Sequence, residues 1–202
     1  MHRVVEEISI NNDWRDGEFA KYKANSLNVE EQLWCRMCIP MIYAHWEGFV
    51  VDALKIVLKH LNQQGLQSTQ LPTNLVVVSL GDAYRTLSGK QSFEQKIQFT
   101  HSFNELLGKP LKFKTKVDTK SNLKSNVFKD LCFAFGFDSS KFTGQLDEID
   151  RLVNIRNSIA HGENSIQPDM QNIEKYITAV KDAMDLLLYE IDDYLSEQRY
   201  MA

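Results

Sequence analysis

An arginine, an asparagine and a histidine crowd the stretch "LVNIRNSIAHGEN", residues 152–164, and a glycine directly follows the histidine. Histidine is the side chain best suited to carry a proton near neutral pH. Arginine offers a planar fork that can hold a phosphate through two hydrogen bonds, and asparagine can orient the imidazole or a phosphate oxygen. Arg156, Asn157 and His161, with no cluster of metal ligands beside them, have the chemistry that cleavage of RNA needs. A base takes the ribose 2′-hydroxyl proton, and a cation steadies the charge building on the phosphate. A structural reading also fits: Arg156 would pair with a nearby acid, Asn157 would help end a helix, and His161 would be an ordinary surface histidine.

Spacing sharpens the question. Asn157 and His161 are four residues apart and share a helix face to within about 40°, whereas Arg156 and His161 lie about 140° apart around the axis. On one straight helix the arginine and the histidine do not line up. A distorted last turn before Gly162 would bring them closer, and so would a second copy of the helix facing the first across a two-fold axis. Spacing therefore suggests a composite site in a homodimer.

The elements that must hold these residues are mostly helical. Ile173, Tyr176, Ile177, Val180, Met184, Leu187, Ile191 and Leu195 recur at three- and four-residue steps, which predicts a helix about seven turns long starting near Pro168. A second long helix is expected from about Val29 to Leu61, kinked at Pro40 and stopped at Gly65. Residues 74–88 are ambiguous between strand and helix and are taken as helix. Ser92 and Gly108 bracket a further helix. "LKFKTKV", 111–117, is expected as an extended loop or short strand. Ser121 should open a helix ending at Gly136, a turn follows, and the motif closes the helix that begins near Gln145. The chain is thus all-α, with a short lysine-rich loop or hairpin insertion. Residues 26–202 form the domain and residues 1–25 an N-terminal helical extension.

Composition bounds the function. Of the 202 residues 43% are hydrophobic and 25% charged, ordinary for a globular chain, and no apolar run reaches membrane-spanning length. The opening residues lack the apolar core of a signal peptide and three cysteines make no disulfide framework, so a cytoplasmic protein is expected. The net charge of −4 argues against a general nucleic-acid binder. Between Lys109 and Lys129, however, seven lysines face one aspartate, a local +6. Lys112, Lys114, Lys116, Lys120 and Lys124 are therefore candidate RNA contacts, although a solvated loop explains them as well. Cys35 and Cys38 have the spacing of a metal pair, but two further ligands are missing; they are expected to be small buried residues, with no metal or other cofactor. His60 and His101 have no ligand set and are expected at the surface.

"RNSIAH" fits the arginine, four residues, histidine motif of the HEPN superfamily, with Asn157 as its polar companion. "YAHWEGFVVDAL" at 43–54, "VDTKSNLKSNVF" at 117–128 and "IDRLVNIRNSIAHGE" at 149–163 resemble the MAE-type branch related to the RiboL-PSP HEPN proteins, in matching order. The resemblance implies a HEPN-like helical bundle, commonly dimeric, and a metal-independent endoribonuclease, often a toxin or antiviral effector with an antitoxin or defence-system partner. It assigns catalysis to Arg156 and His161 with Asn157 beside them, leaving a 2′,3′-cyclic phosphate or 3′-phosphate and a 5′-hydroxyl. A non-catalytic HEPN module that binds nucleotide, RNA or a protein partner is the alternative. In members silenced by nucleotide transfer a tyrosine stands two residues after the histidine; here that position is Glu163, so silencing by that route is not expected. Glu47, a carboxylate in an otherwise apolar stretch, needs a partner. Arg156 or His161 would make it a supporting residue of the site; an ordinary structural ion pair is the equal alternative.

Overall fold

The computed structural model describes residues 1–85 and 90–202. In chain order the helices are α1 (Arg3–Asn12), α2 (Trp14–Ala24), α3 (Glu31–Gln64), α4 (Thr73–Arg85), α5 (Phe93–Leu107), α6 (Ser125–Phe135), α7 (Thr143–Ala160) and α8 (Met170–Ser196). The described residues contain no strand, and the bundle is all-α. Residues 86–88, the end of the helix expected over 74–88, lie outside the described residues.

The long helix α3 is the spine. Its buried residues Cys35, Ile39, Ile42, Trp46, Val50, Leu54, Val57 and Leu61 recur every three or four positions. This stripe packs against α1, α7 and α8. Each large side chain buried this fully contributes about 1.5–3 kcal/mol. Gly65 ends the helix in the left-handed region at φ 63°, where an L-residue would be strained. Pro40 lies within it. Cys35 and Cys38 are buried free thiols whose pKa values burial pushes up to about 11, as suits packing residues.

Several boundaries differ from the sequence expectation for reasons of capping. Helix α8 begins at Met170, after Pro168, because Asp169 and Asn172 form a reciprocal capping box. Helix α6 begins at Ser125 rather than Ser121. Its first N–H is met from α7, where Asp150 accepts from Ser125 N at 2.7 Å and also from the Ser125 hydroxyl at 2.6 Å. A cap supplied from another helix leaves no local signature. The "LKFKTKV" segment forms no strand. His60 is half-buried, its ring edge-on to His2 at 5.1 Å, rather than at the surface.

Helices α1 and α2 dock on α3 and α8. The joint with α3 is polar: Arg15 Nη1 lies 3.2 Å from Nδ1 of His45, and Nε2 lies 3.0 Å from the Tyr22 hydroxyl and 3.1 Å from Glu18. A guanidinium donates only, so Nδ1 accepts and the ring carries its proton on Nε2. Burial, and after it the Arg15 charge, lower the His45 pKa from 6.5; Glu18 pulls the other way and is outweighed. Below about pH 6.5 the unfolded chain therefore binds a proton here that the folded chain refuses, and stability falls with further acidification. Urea titrations between pH 7.5 and 5 should show this loss, and His45→Gln should flatten it.

Candidate active site

The motif occupies the last two turns of α7. Gly162, at φ 80°, terminates the helix: its N–H bonds to Ile159 O at 3.0 Å and Glu163 N–H bonds to Ser158 O at 3.0 Å. These two bonds form a Schellman ending. His161 becomes the C-cap, with its backbone N–H on Asn157 O at 2.9 Å and its side chain exposed. Among the described residues no hydrogen bond or ion pair engages the imidazole. Beyond it, Arg36 of α3 ties the chain down, donating to Glu163 O at 2.8 Å and Ile166 O at 2.9 Å. Nothing crowds a Cβ at Gly162, so the cost of alanine there is purely that of its backbone. Gly162→Ala should lower stability by about 1–2 kcal/mol in denaturant melts.

Arg156 points elsewhere. Its guanidinium carbon lies over the Tyr43 ring, 4.3 Å from the centroid, and Nη1 donates to Asn157 Oδ1 at 2.8 Å. Asn157 Nδ2 donates in turn to Asn122 Oδ1 at 3.1 Å. Both ends of the Asn157 amide are thereby engaged, and it orients the guanidinium rather than the imidazole. Arg15, Arg151 and Arg199 each meet a carboxylate. Arg156, half-buried, meets none among the described residues. A cation placed on an aromatic face, oriented by an amide and left without an acid is suited to receive an anion from outside.

Beneath the arginine, Tyr43 accepts Leu123 N–H at 2.9 Å. Burial raises the Tyr43 pKa to about 12, the Leu123 N–H opposes the rise, and Glu47 adds to it. The phenol is therefore neutral at physiological pH and leaves the Arg156 charge intact. Glu47 does not pair with Arg156 or His161: Thr119 Oγ1 donates to it at 2.6 Å. Its carboxylate thus holds the lysine-rich loop against α3, one turn along from Tyr43.

The loop lysines are not equivalent. Lys112, Lys114 and Lys116 are exposed, Lys120 is drawn to Asp118, and Lys124 Nζ reaches Asn154 Oδ1 on α7 at 2.6 Å. Lys124 is thereby joined directly to the motif helix. Tyr43 and Asn122 join the site through side-chain contacts over 113 and 35 positions, which leave no periodic signal in the sequence. Among the described residues no three His, Cys, Asp or Glu side chains gather as a metal site. No helix of the described residues is long and apolar enough to cross a membrane.

A helical bundle with an arginine–histidine motif closing one helix defines a HEPN domain. Residues 10–196 match the RiboL-PSP-HEPN family, and the chain belongs to that family. HEPN domains commonly bind RNA and dimerise, so RNA cleavage or RNA binding is the class of function that membership supports. No curated protein and no solved structure matches the chain.

Proposed function

We propose that the protein is a metal-independent endoribonuclease in which Arg156 and His161 act on one phosphodiester. The observation that carries this reading is the Arg156 guanidinium, aimed by Asn157, set over the Tyr43 ring and without a carboxylate among the described residues. In the reaction the 2′-hydroxyl loses its proton to an imidazole, the 2′-oxygen attacks phosphorus, and the bond to the 5′-oxygen breaks. The leaving oxygen takes a proton, giving a 2′,3′-cyclic phosphate and a 5′-hydroxyl end. Arg156 stabilises the extra negative charge on the phosphate oxygens as it develops. Asn157 is a positioning residue, and Lys124 is placed to hold a neighbouring phosphate.

One copy supplies one imidazole, whereas the reaction removes a proton at one oxygen and returns one at another. A homodimer supplies two. Leu33, Met37 and Met41 on α3 are 53%, 52% and 46% exposed, and Ala44 is exposed beside them. They form a stripe on one helix face, and Glu47, Arg36 and Tyr43 fall about 40°, 60° and 80° from its edge. An apolar stripe bordering the residues that carry the motif suits a two-fold contact that brings two sites together. A toxin or antiviral role, held in check by a partner protein, fits such an activity.

The test is cleavage of RNA in excess EDTA, with the product ends identified. Cyclic phosphate and 5′-hydroxyl ends support the mechanism; RNA that binds and stays uncut favours a binding module instead.

A further inference from the structure

Between α5 and α6 the lysine-rich loop runs along α3 in the opposite direction. At one end Asn62 makes two bonds to Phe113, donating to its O at 2.9 Å and accepting from its N–H at 2.7 Å, and Leu111 N–H bonds to Leu66 O at 2.8 Å. At the other end Thr119 is held by Glu47 and Leu123 by Tyr43. From Asn62 back to Glu47 the helix covers about 22 Å. The six residue steps from Phe113 to Thr119 reach at most about 20–22 Å. The loop is therefore drawn out along the helix, with one bend at Thr115. In an extended stretch alternate side chains face opposite ways, about 7 Å apart on each side. Before the bend Leu111 and Phe113 are buried accordingly and Lys112 and Lys114 are exposed; after it Lys116 is exposed as well. That interval resembles the step between phosphates of an extended single strand.

The far end of this row turns into the site. Lys120 and Ser121 both take positive φ, 58° and 52°. The turn is held by Lys120 N–H on Asp118 at 2.9 Å and delivers Asn122 to Asn157. Beside the row lies a recess of about 380 Å³, lined by Leu58, Val78, Phe135, Lys114, Lys116 and Asp118 among others. A largely apolar hollow beside spaced cations has the chemistry of an unstacked nucleobase next to its own phosphates.

We infer that residues 112–124 form a track for single-stranded RNA, leading along α3 to Arg156 and seating one base of the strand in the recess beside the lysines. The inference rests on the proposed reading only in taking Arg156 as the point of cleavage. A duplex does not fit, because its bases stay stacked inside and cannot enter the recess.

The test uses the full chain carrying His161→Ala, so that RNA stays intact, and fluorescent oligoribonucleotides as single strand and as duplex. Single strands should bind at least about tenfold tighter than duplexes of the same length. K112Q/K116Q should weaken single-strand binding by about tenfold and reduce the slope of log K against log salt by about 1.4, two phosphate contacts' worth. Lys23→Gln, on α2, should change neither. An abasic scan should find one position where removing the base weakens binding, and Val78→Phe, which fills the recess, should erase that dependence without altering the salt slope. If Val78→Phe fails to fold by thermal melting, the abasic scan on the unfilled protein decides. Equal duplex binding, an unchanged salt slope or a flat abasic scan overturns the track. Binding of this kind by a wild type that cuts no RNA would keep the track and reject the nuclease. Cleavage with an unchanged slope in K112Q/K116Q would do the reverse.

Discussion

Alanine at His161 is expected to slow RNA cleavage by about 10²- to 10⁴-fold, the range in which a positioned proton carrier contributes. The imidazole is exposed and, among the described residues, has no hydrogen-bond or ion-pair partner, so its removal disturbs little packing and the variant should melt with the wild type. Arg156→Ala should cost about 10²- to 10³-fold, as loss of a charge-stabilising donor does. Arg156→Lys should recover little, because an ammonium lacks the fork that Asn157 and the Tyr43 face hold in place. The two losses should not multiply in the double variant if both groups act on one transition state. Single-turnover rates on a uniform RNA measure all of these. Near-normal cleavage by His161→Ala would remove the imidazole from the mechanism.

The second large effect is expected on α3, where nothing touches substrate. Met37→Glu with Met41→Glu places carboxylates on the exposed stripe beside Leu33. At a two-fold contact each meets a copy of itself or its neighbour, and like charges so placed cost several kcal/mol. Association should weaken by about 100-fold or more, visible by sedimentation as a shift to monomer. Cleavage should fall in parallel and return at high protein concentration. A monomer that cuts RNA at full rate would show that one copy suffices.

How much of this was legible in the sequence follows from where each signal resides. Helices α5, α7 and α8 carry their own stripes and caps, with Ser92 and Gln95 as a capping box and Gly162 as a terminator. Local pattern finds such elements. The start of α6 depends on Asp150, and the placing of α2 depends on His45 and Arg15, partners that only the folded chain brings together. The site divides in the same way. Arg156, Asn157 and His161 can be set on a helix by counting, and their angular disagreement is visible beforehand. That the guanidinium rests on Tyr43, that Asn157 serves it, and that Glu47 turns to Thr119 are facts of tertiary packing.

Arg36 lashes the segment after His161 to α3. Arg156, Asn157 and His161 are each placed by contacts inside one subunit, while the exposed stripe of α3 that would join two copies takes no part in those contacts. A restraining protein could then disarm the pair by wedging the subunits apart, with no helix melted and no residue chemically marked. Withdrawal of the wedge would rearm them as fast as two preformed halves can meet.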